Sequence, residues 1–238
     1  MKIVIKLNLL FASLTLAHTA MACPTVASLP DFNCDGEARI VVLGDSLVFG
    51  TGDTINNNAG GYVLRTQARF PGALVSNFGV PGLKTLDLLK NIRKAFAGDG
   101  DSNLHESLIK ADLVVLDLGR NDRWLFGPPS ATLRNLKRIS SLIKQKVKES
   151  VISAPLVVTA VLMYPNRGAQ GPWVKELDEL IIKSHSVSAP ADLRFDQVSK
   201  RLLSSDQIHP TSKGYKALAD VFIKYLLKQY PIHASTSR

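Results

Sequence analysis

The most constraining feature of the sequence is a short apolar run that ends in Gly-Asp-Ser. Residues Arg39–Leu43 are almost all branched and apolar, which is typical of a strand buried on both faces of a parallel sheet. Gly44 ends the run, and Asp45 and Ser46 follow where the backbone has to turn. Open α/β sheets bind their ligands at the carboxyl ends of such strands. The Ser46 hydroxyl is therefore a candidate nucleophile, although Gly-Asp-Ser is also an ordinary turn sequence.

Strand and helix patterns alternate along the rest of the chain. Further segments typical of strands lie at Leu74–Phe78, Leu113–Leu118, Leu156–Leu162 and, more weakly, Leu193–Phe195. Helical patterns separate them, the longest being an amphipathic segment at Thr132–Lys148. This alternation predicts an α/β fold with a mainly parallel, five-stranded sheet and helices on both sides. No repeat or linker divides the chain, so we expect one domain over residues 23–238.

Composition and charge place the chain among globular proteins. Hydrophobic residues make up 45% of the sequence and charged residues 21%, which argues against a disordered chain. The formal net charge is +9, and a basic surface favours anionic partners or is simply a solvated surface with surplus lysine. No basic run is interleaved with aromatic residues as single-stranded nucleic-acid binding requires, so we expect no nucleic-acid partner.

The amino-terminal segment Met1–Ala22 has the pattern of an export signal. Lys2 and Lys6 give it a positive start, Leu7–Leu16 is mostly apolar, and Ala20-Met21-Ala22 is a small-x-small cleavage site. The apolar run is too short and too interrupted to span a bilayer, and no other run in the sequence is long enough. The sequence therefore predicts an exported protein, periplasmic or secreted.

The chain has two cysteines, Cys23 and Cys34. An even pair in an exported chain predicts one disulfide, which would close a short loop before the first predicted strand of the sheet. The alternative is a lipid anchor on Cys23, which would be the first residue after cleavage. Ala20 stands three residues before it, where lipoprotein signals usually carry leucine. In either case the two cysteines are interpreted as structural or anchoring.

Four loops at the carboxyl ends of predicted strands carry the groups that acyl transfer needs. They supply a hydroxyl (Ser46), a glycine N–H (Gly82), a side-chain amide (Asn121) and a carboxylate–imidazole pair (Asp206 and His209). Because these strand ends meet at one edge of a parallel sheet, we expect the groups to converge. Taken singly, the carboxylate–imidazole pair would also suit a helix cap beside an ordinary histidine, and the asparagine a turn.

Four sequence blocks resemble the ordered motifs of the SGNH, or GDSL-type, esterase/lipase family. They are Gly44-Asp45-Ser46-Leu47, Gly79-Val80-Pro81-Gly82, Gly119-Arg120-Asn121-Asp122 and Asp206-Gln207-Ile208-His209-Pro210. One block is weak evidence, but four in this order across most of the chain are specific. The resemblance is nearest to the small bacterial lysophospholipase/thioesterase-like branch. It implies a flavodoxin-like three-layer αβα sandwich, in agreement with the alternating pattern.

The resemblance also implies a role for each matched residue. Ser46 would be the nucleophile, His209 the general base and later the acid, and Asp206 the group that orients His209. The backbone N–H groups of Ser46 and Gly82 and the side chain of Asn121 would form the oxyanion hole. The choice of this glycine over the first glycine of its block rests on the motif match alone.

Expectations also follow for other residues in and near the motifs. The resemblance implies that Asp45 and Asp122 are structural hydrogen-bonding residues. Arg120 stands where the family more often has a small residue, so we expect it to line the site or to face solvent. Together with Arg123 and Lys84, Arg120 would favour an anionic acyl donor or headgroup, unless these cations are ordinary surface residues.

The predicted function is therefore hydrolysis of a carboxylic ester through an acyl-enzyme. The expected substrates are lysophospholipid, acyl or thioester compounds, and the protein could also contact a membrane peripherally. The alternative is an O-acetyl esterase that acts on carbohydrate or peptidoglycan. A third possibility, from another class, is an inactive carbohydrate-binding or adhesion module. The chemistry needs no cofactor and no metal, and we see no ligand cluster that would hold a metal.

Overall fold

Strands and helices alternate along the chain. The structure is a computed structural model, and it describes residues 25–27, 29–150, 154–163, 170–184, 190–194 and 200–229. The strands are β1 (Thr25–Val26), β2 (Leu29–Pro30), β3 (Arg39–Gly44), β4 (Leu74–Gly79), β5 (Leu113–Asp117), β6 (Leu156–Val161) and β7 (Ala191–Asp192). The α-helices are α1 (Ser46–Phe49), α2 (Gly61–Arg69), α3 (Thr85–Ala97), α4 (Ser102–Ile109), α5 (Pro129–Lys148), α6 (Gln170–Ser184) and α7 (Ser212–Gln229). Short 3₁₀ turns lie at Thr54–Asn56, Arg120–Leu125 and Lys200–Leu202.

The main sheet is parallel throughout and has the strand order β4-β3-β5-β6-β7. Strands β3, β5 and β6 are central, and nearly all their side chains are buried, as continuous apolar runs predict. The predicted α/β fold with a five-stranded parallel sheet is confirmed. Strands β1 and β2 form a separate antiparallel pair that the sequence pattern did not predict.

Helices cover the sheet in two groups. Helix α2 packs against α7, and helices α3, α4, α5 and α6 pack in sequence against one another. Between α2 and α7, the rings of Tyr62 and Phe222 meet edge to face with centroids 5.5 Å apart, a favourable arrangement for buried aromatic rings. No helix in the described part of the chain is long and apolar enough to cross a membrane.

The weakest strand prediction was wrong in position. The last strand is Ala191–Asp192 rather than Leu193–Phe195, and residue 195 lies outside the described ranges. Only two residues of β7 pair with β6, which is too short for any period to show in the sequence. Helix α6 begins at Gln170 and so includes Pro172, since proline is tolerated in the first turn of a helix.

Several amino-terminal predictions fall on residues that the structure does not describe. The export signal over residues 1–22 and Cys23 both lie outside the described ranges. The single domain over 23–238, the Cys23–Cys34 disulfide and the lipid anchor on Cys23 therefore stay predictions.

A buried carboxyl group connects α6 to the end of β6. The Leu162 N–H donates to Asp178 Oδ1 at 2.7 Å, and Asp178 is only 2% exposed. Its second oxygen, Oδ2, has no hydrogen-bond partner among the described residues. Burial raises the pKa of Asp178 to about 7, against the opposing effects of the Leu162 N–H and the cations of Arg120 and Arg194. The folded protein therefore holds a proton here that the unfolded chain releases at lower pH.

Replacement of Asp178 by Asn should change how stability depends on pH. The stabilisation from the bound proton is complete below the ordinary pKa of 3.8 and is lost as the pH rises to about 7. Asn keeps the acceptor for Leu162 without a charge, so the free energy of unfolding of the variant should rise relative to wild type by up to about 4 kcal/mol between these pH values. Urea unfolding at several pH values from about 4 to 8 measures this difference in the free energy of unfolding, and the exposed-loop variant Asp99→Asn is the control. A difference that is constant with pH would contradict it.

Candidate active site

The backbone turn after β3 places Ser46 at the carboxyl edge of the sheet. Asp45 has extended backbone and caps α1, its Oδ1 accepting the Leu47 N–H at 3.0 Å. Ser46 is the first residue of this short helix and is half-buried. A Cβ on Gly44 would lie 2.2 Å from Val48 Cγ2 and 2.4 Å from the Asp117 carbonyl oxygen. Glycine is therefore required for the chain to turn this closely under the helix.

Three of the predicted residues form one hydrogen-bonded chain. His209 Nε2 lies 2.8 Å from Ser46 Oγ, although 163 residues separate the two in sequence. His209 Nδ1 lies 2.6 Å from Asp206 Oδ2. A carboxylate only accepts hydrogen bonds, so Nδ1 carries the proton and Nε2 is free to accept the proton of the Ser46 hydroxyl. The structure brings together the hydroxyl, the imidazole and the carboxylate as the motifs predicted.

The turn that carries Asp206 also holds its carboxylate. Asp206 Oδ1 accepts the Ser204 hydroxyl at 2.6 Å and the N–H groups of Ile208 and His209 at 2.8 and 3.0 Å. Although partial burial alone would raise it, these donors and the His209 ring lower the pKa of Asp206 well below its ordinary value. The carboxylate is therefore ionised at neutral pH and stabilises a positive charge on the imidazole.

The start of α7 holds the His209 turn against the segment that follows Ser46. The Tyr215 hydroxyl donates to the Thr51 carbonyl oxygen at 2.8 Å, and the Ile55 N–H donates to Ser212 Oγ at 3.2 Å. These bonds connect regions more than 150 residues apart, so they position the imidazole relative to the hydroxyl. Neither bond could be predicted from a pattern in the sequence.

The structure distinguishes the two glycines of the second motif. The Gly79 N–H donates to Asn77 Oδ1 at 2.9 Å, and a Cβ on Gly79 would lie 2.1 Å from the Phe49 backbone nitrogen. Gly82 is exposed, and its N–H makes no hydrogen bond to any described residue. The Ser46 N–H likewise has no partner in the described part of the chain. Gly79 thus serves close packing, and Gly82 has the N–H available for a ligand.

Asn121 is tied to the loop of Gly82. Its Nδ2 donates to the Leu83 carbonyl oxygen at 3.1 Å, and an amide nitrogen has a second proton to donate. The neighbouring Asp122 is buried and accepts the Thr85 N–H at 2.9 Å, the Thr85 hydroxyl, and the Thr132 hydroxyl at 3.0 Å. This carboxylate joins the loops after β4 and β5 to α5, a structural role in keeping with the motif.

Arg120 neither lines the site nor faces solvent, so that expectation was wrong. Its side chain lies beneath the site with three nitrogens bonded: Nη2 to Asp117 Oδ1 at 2.6 Å, Nη1 to Asp45 Oδ2 at 3.2 Å and Nε to the Met163 carbonyl oxygen at 2.7 Å. Burial alone would lower the pKa of Arg120, but the two carboxylates raise it above its ordinary value. Asp117, a charged residue inside the third apolar run, was the available sequence signal for this cluster.

The remaining cations and aromatic residues are divided between core and surface. The Arg123 guanidinium lies 4.1 Å from the centre of the Trp124 ring, and Lys84 is half-buried. Trp173 packs against the core, as its helical spacing predicted, and its Nε1 also donates to the Gly127 carbonyl oxygen at 3.0 Å. Within the described ranges, no group of three or more His, Cys, Asp or Glu is placed to hold a metal ion.

Comparison with known proteins now identifies the family. The model of the GDSL-like Lipase/Acylhydrolase family matches residues 42–217, a range that includes every residue of the site. The chain belongs to this family. A comparison with curated protein sequences finds no match.

Solved structures share the fold of this family member at low sequence identity. A lipase from a goat rumen metagenome has a TM-score of 0.63 and 22% identity, covering 77% of this chain and 95% of its own. A lipolytic G-D-S-L protein from Veillonella parvula has a TM-score of 0.61 and 18% identity, and the match covers 79% of this chain and 97% of that protein. A carbohydrate esterase of family 3 from Talaromyces cellulolyticus has a TM-score of 0.56 and 15% identity, and the match covers 81% of this chain and 97% of that protein. Family membership supports carboxylic ester hydrolase activity, and these neighbours show the same fold.

Replacement of Asn121 by Ala should lower kcat by about 10²–10³-fold with little change in KM, because an oxyanion donor acts mainly in the transition state. Steady-state hydrolysis of p-nitrophenyl butyrate measures both constants. The exposed Asn103 on α4 provides the control variant Asn103→Ala, which should match wild type. A rise in KM with kcat intact would show that Asn121 only positions the substrate.

Proposed function

We propose that this chain is a serine ester hydrolase with Ser46 as nucleophile, His209 as general base and Asp206 as the group that orients it. The observation that carries the proposal is the position of His209, which lies within 2.8 Å of Ser46 Oγ and 2.6 Å of Asp206 Oδ2. Activation of a serine hydroxyl needs a base at hydrogen-bond distance and a third group that fixes the tautomer of that base. The two distances satisfy both requirements without any movement of the backbone.

The first half of the reaction forms an acyl-enzyme. His209 Nε2 takes the proton of the Ser46 hydroxyl as Oγ attacks the ester carbonyl carbon, and the carbonyl oxygen becomes an oxyanion. The N–H groups of Ser46 and Gly82 and the second amide proton of Asn121 donate to this oxygen. The imidazolium then gives its proton to the leaving alkoxide or thiolate as the carbon–oxygen or carbon–sulfur bond breaks.

The second half releases the acid. Water takes the place of the leaving group, His209 accepts its proton, and the hydroxide attacks the acyl carbon. The new oxyanion collapses, the bond to Ser46 Oγ breaks, and the imidazolium returns the proton to the serine. Asp206 stays ionised throughout and stabilises the charged ring in both halves.

Replacement of Ser46 by Ala should remove hydrolysis of p-nitrophenyl butyrate and labelling by a fluorophosphonate probe, since both need the hydroxyl. The expected loss of kcat is about 10⁴-fold or more. The exposed Ser102 at the start of α4 provides the control, and Ser102→Ala should react like wild type. A Ser46→Ala protein that hydrolyses the ester at the wild-type rate would overturn the nucleophile assignment, and absence of labelling in the wild type would favour an inactive binding module.

We further propose an acyl-lipid ester, such as a lysophospholipid, as the substrate. The support comes from the segment directly after Asn121, where the apolar residues Trp124, Leu125 and Phe126 are 59%, 49% and 94% exposed. Consecutive exposed apolar side chains beside a reactive centre suit contact with an acyl chain or a lipid surface. The net charge of +9 and the neighbouring Arg123 suit an anionic headgroup.

Replacement of Phe126 by Asn should slow the hydrolysis of long-chain esters and leave that of short-chain esters unchanged. Phe126 has a backbone φ of +54°, which Asn tolerates, so the fold should be retained. Loss of one exposed ring should lower kcat/KM on lysophospholipid micelles by about tenfold, whereas p-nitrophenyl acetate should be cleaved at an unchanged rate. The control is Ile182→Ser, at an exposed position on α6. Equal rates for Phe126→Asn and wild type on both substrates would exclude this contact.

An O-acetyl esterase is the second candidate, and the carbohydrate esterase among the structural neighbours favours it. Such an enzyme needs room for a sugar and a methyl group rather than an apolar path for an acyl chain. The same ester panel with acetylated xylan and acetylated peptidoglycan added distinguishes the two substrate classes. Preference for acetylated polysaccharide over lysophospholipid would select this second candidate.

We propose export of the chain with cleavage after Ala22, to the periplasm or the medium. The support is the sequence pattern of residues 1–22. Cys23 would then pair with Cys34 or carry a lipid, and the mass of the mature chain distinguishes the two.

A further inference from the structure

A cluster of charged side chains is buried directly beneath the proposed active site. Asp45, Asp117 and Arg120 are 1%, 0% and 9% exposed, and Tyr62 is fully buried. The Tyr62 hydroxyl donates to Asp117 Oδ2 at 2.9 Å, while Arg120 binds the other oxygen of this carboxylate at 2.6 Å. Every charged atom in the cluster thus has a partner, which is the condition for burial of charge.

Arg120 connects the ends of three neighbouring strands. Asp45 directly follows β3, Asp117 is the last residue of β5, and Met163 lies just beyond β6. The guanidinium reaches all three with separate nitrogens, and Nη1 also lies 3.4 Å from the Asp117 carbonyl oxygen. A guanidinium has five protons in a rigid planar fork, and an ammonium group cannot reproduce that geometry.

Ser46 and Asn121 are each one step from this guanidinium. Asp45 uses Oδ2 for Arg120 and Oδ1 for the Leu47 N–H, so the same carboxylate holds the turn that carries Ser46. On the other side, Asn121 is the next residue after Arg120. Arg120 therefore connects the turn of the serine to the backbone that carries the asparagine.

We propose that Arg120 is a positioning residue for ester hydrolysis. It sets the distance between the Ser46 nucleophile and the Asn121 oxyanion donor by bridging Asp45 and Asp117, and it does not contact the substrate. The inference rests on the proposed roles of Ser46 and Asn121. A shift of about 1 Å in such a pair lowers turnover by about 10²-fold, so a buried bridge of this kind controls kcat rather than substrate affinity.

A role in binding an anionic substrate is the competing explanation. It would need a guanidinium nitrogen free to face the ligand. The three nitrogens of Arg120 are already bonded within the protein, and the side chain is only 11% exposed. The half-buried Arg123 and Lys84 are better placed for such contacts.

The test compares Arg120→Lys with Arg39→Lys. Arg39 is a matched control because it also bridges two carboxylates, Asp35 and Glu37, but at the amino end of β3. With p-nitrophenyl butyrate, Arg120→Lys should lower kcat by about 10²-fold and change KM less than about threefold, whereas Arg39→Lys should stay within about twofold of wild type. Labelling of Ser46 by fluorophosphonate should slow in parallel with kcat, and circular dichroism should verify that both variants fold.

Three outcomes would overturn the inference. These are an unchanged kcat in folded Arg120→Lys, a rise in KM alone, and a loss confined to anionic esters. If Arg120→Lys does not fold, Asp45→Asn decides, because Asn still caps α1 but loses the charge that pairs with Arg120. A kcat reduced at constant KM supports the inference, and an unchanged kcat overturns it. Failure of the proposed function is distinct, since Ser46→Ala would then remain active.

Discussion

The pairing of β3 on both of its edges determines where the loops of Ser46, Gly82 and Asn121 begin. Gly44 lies opposite Gly79 of β4 and opposite Asp117 of β5, so three parallel strands end at the same level. Neighbouring strands are about 4.8 Å apart, and the loops that leave them therefore start close together. Parallel strands need long crossover connections, which is why groups far apart in sequence meet at one edge of this sheet.

Strand register alone does not fix side chains to the accuracy that catalysis requires. Two buried carboxylates complete the arrangement: Asp45 holds the turn of the serine, and Asp122 holds the turn of the asparagine. Burial of an ion costs several kcal/mol unless its hydrogen bonds are complete. Here Arg120 and the two threonine hydroxyls supply those bonds. The charges beneath the site are therefore better explained by specificity of geometry than by a gain in stability.

Much of the fold and the site could be predicted because both depend on patterns that are local in sequence. Three of the five strands have continuous apolar runs, because both of their faces are buried. Convergence of the motif loops follows from parallel topology. The prediction for Arg120 was wrong because the orientation of its side chain depends on Asp45, which is 75 residues away in sequence. The arginine itself has no sequence property that separates a buried bridge from a surface cation, and the charged Asp117 within an apolar run was the one available signal. The two-residue strand Ala191–Asp192 is too short to produce a pattern.

In the proposed mechanism this framework acts only on the ester carbonyl, so the choice of substrate must come from residues outside it. Lipases and a carbohydrate esterase share the fold of this chain, so the fold does not select the acyl group. The segment after Asn121 is fixed at its start by Asp122 and at its end by the Trp173–Gly127 bond, yet Phe126 between them is 94% exposed. Water contact with that ring is unfavourable, and each CH₂ removed from water gains about 0.8 kcal/mol. A long acyl chain would cover more of that ring than an acetyl group, and this difference is the physical basis of the proposed acyl-lipid substrate.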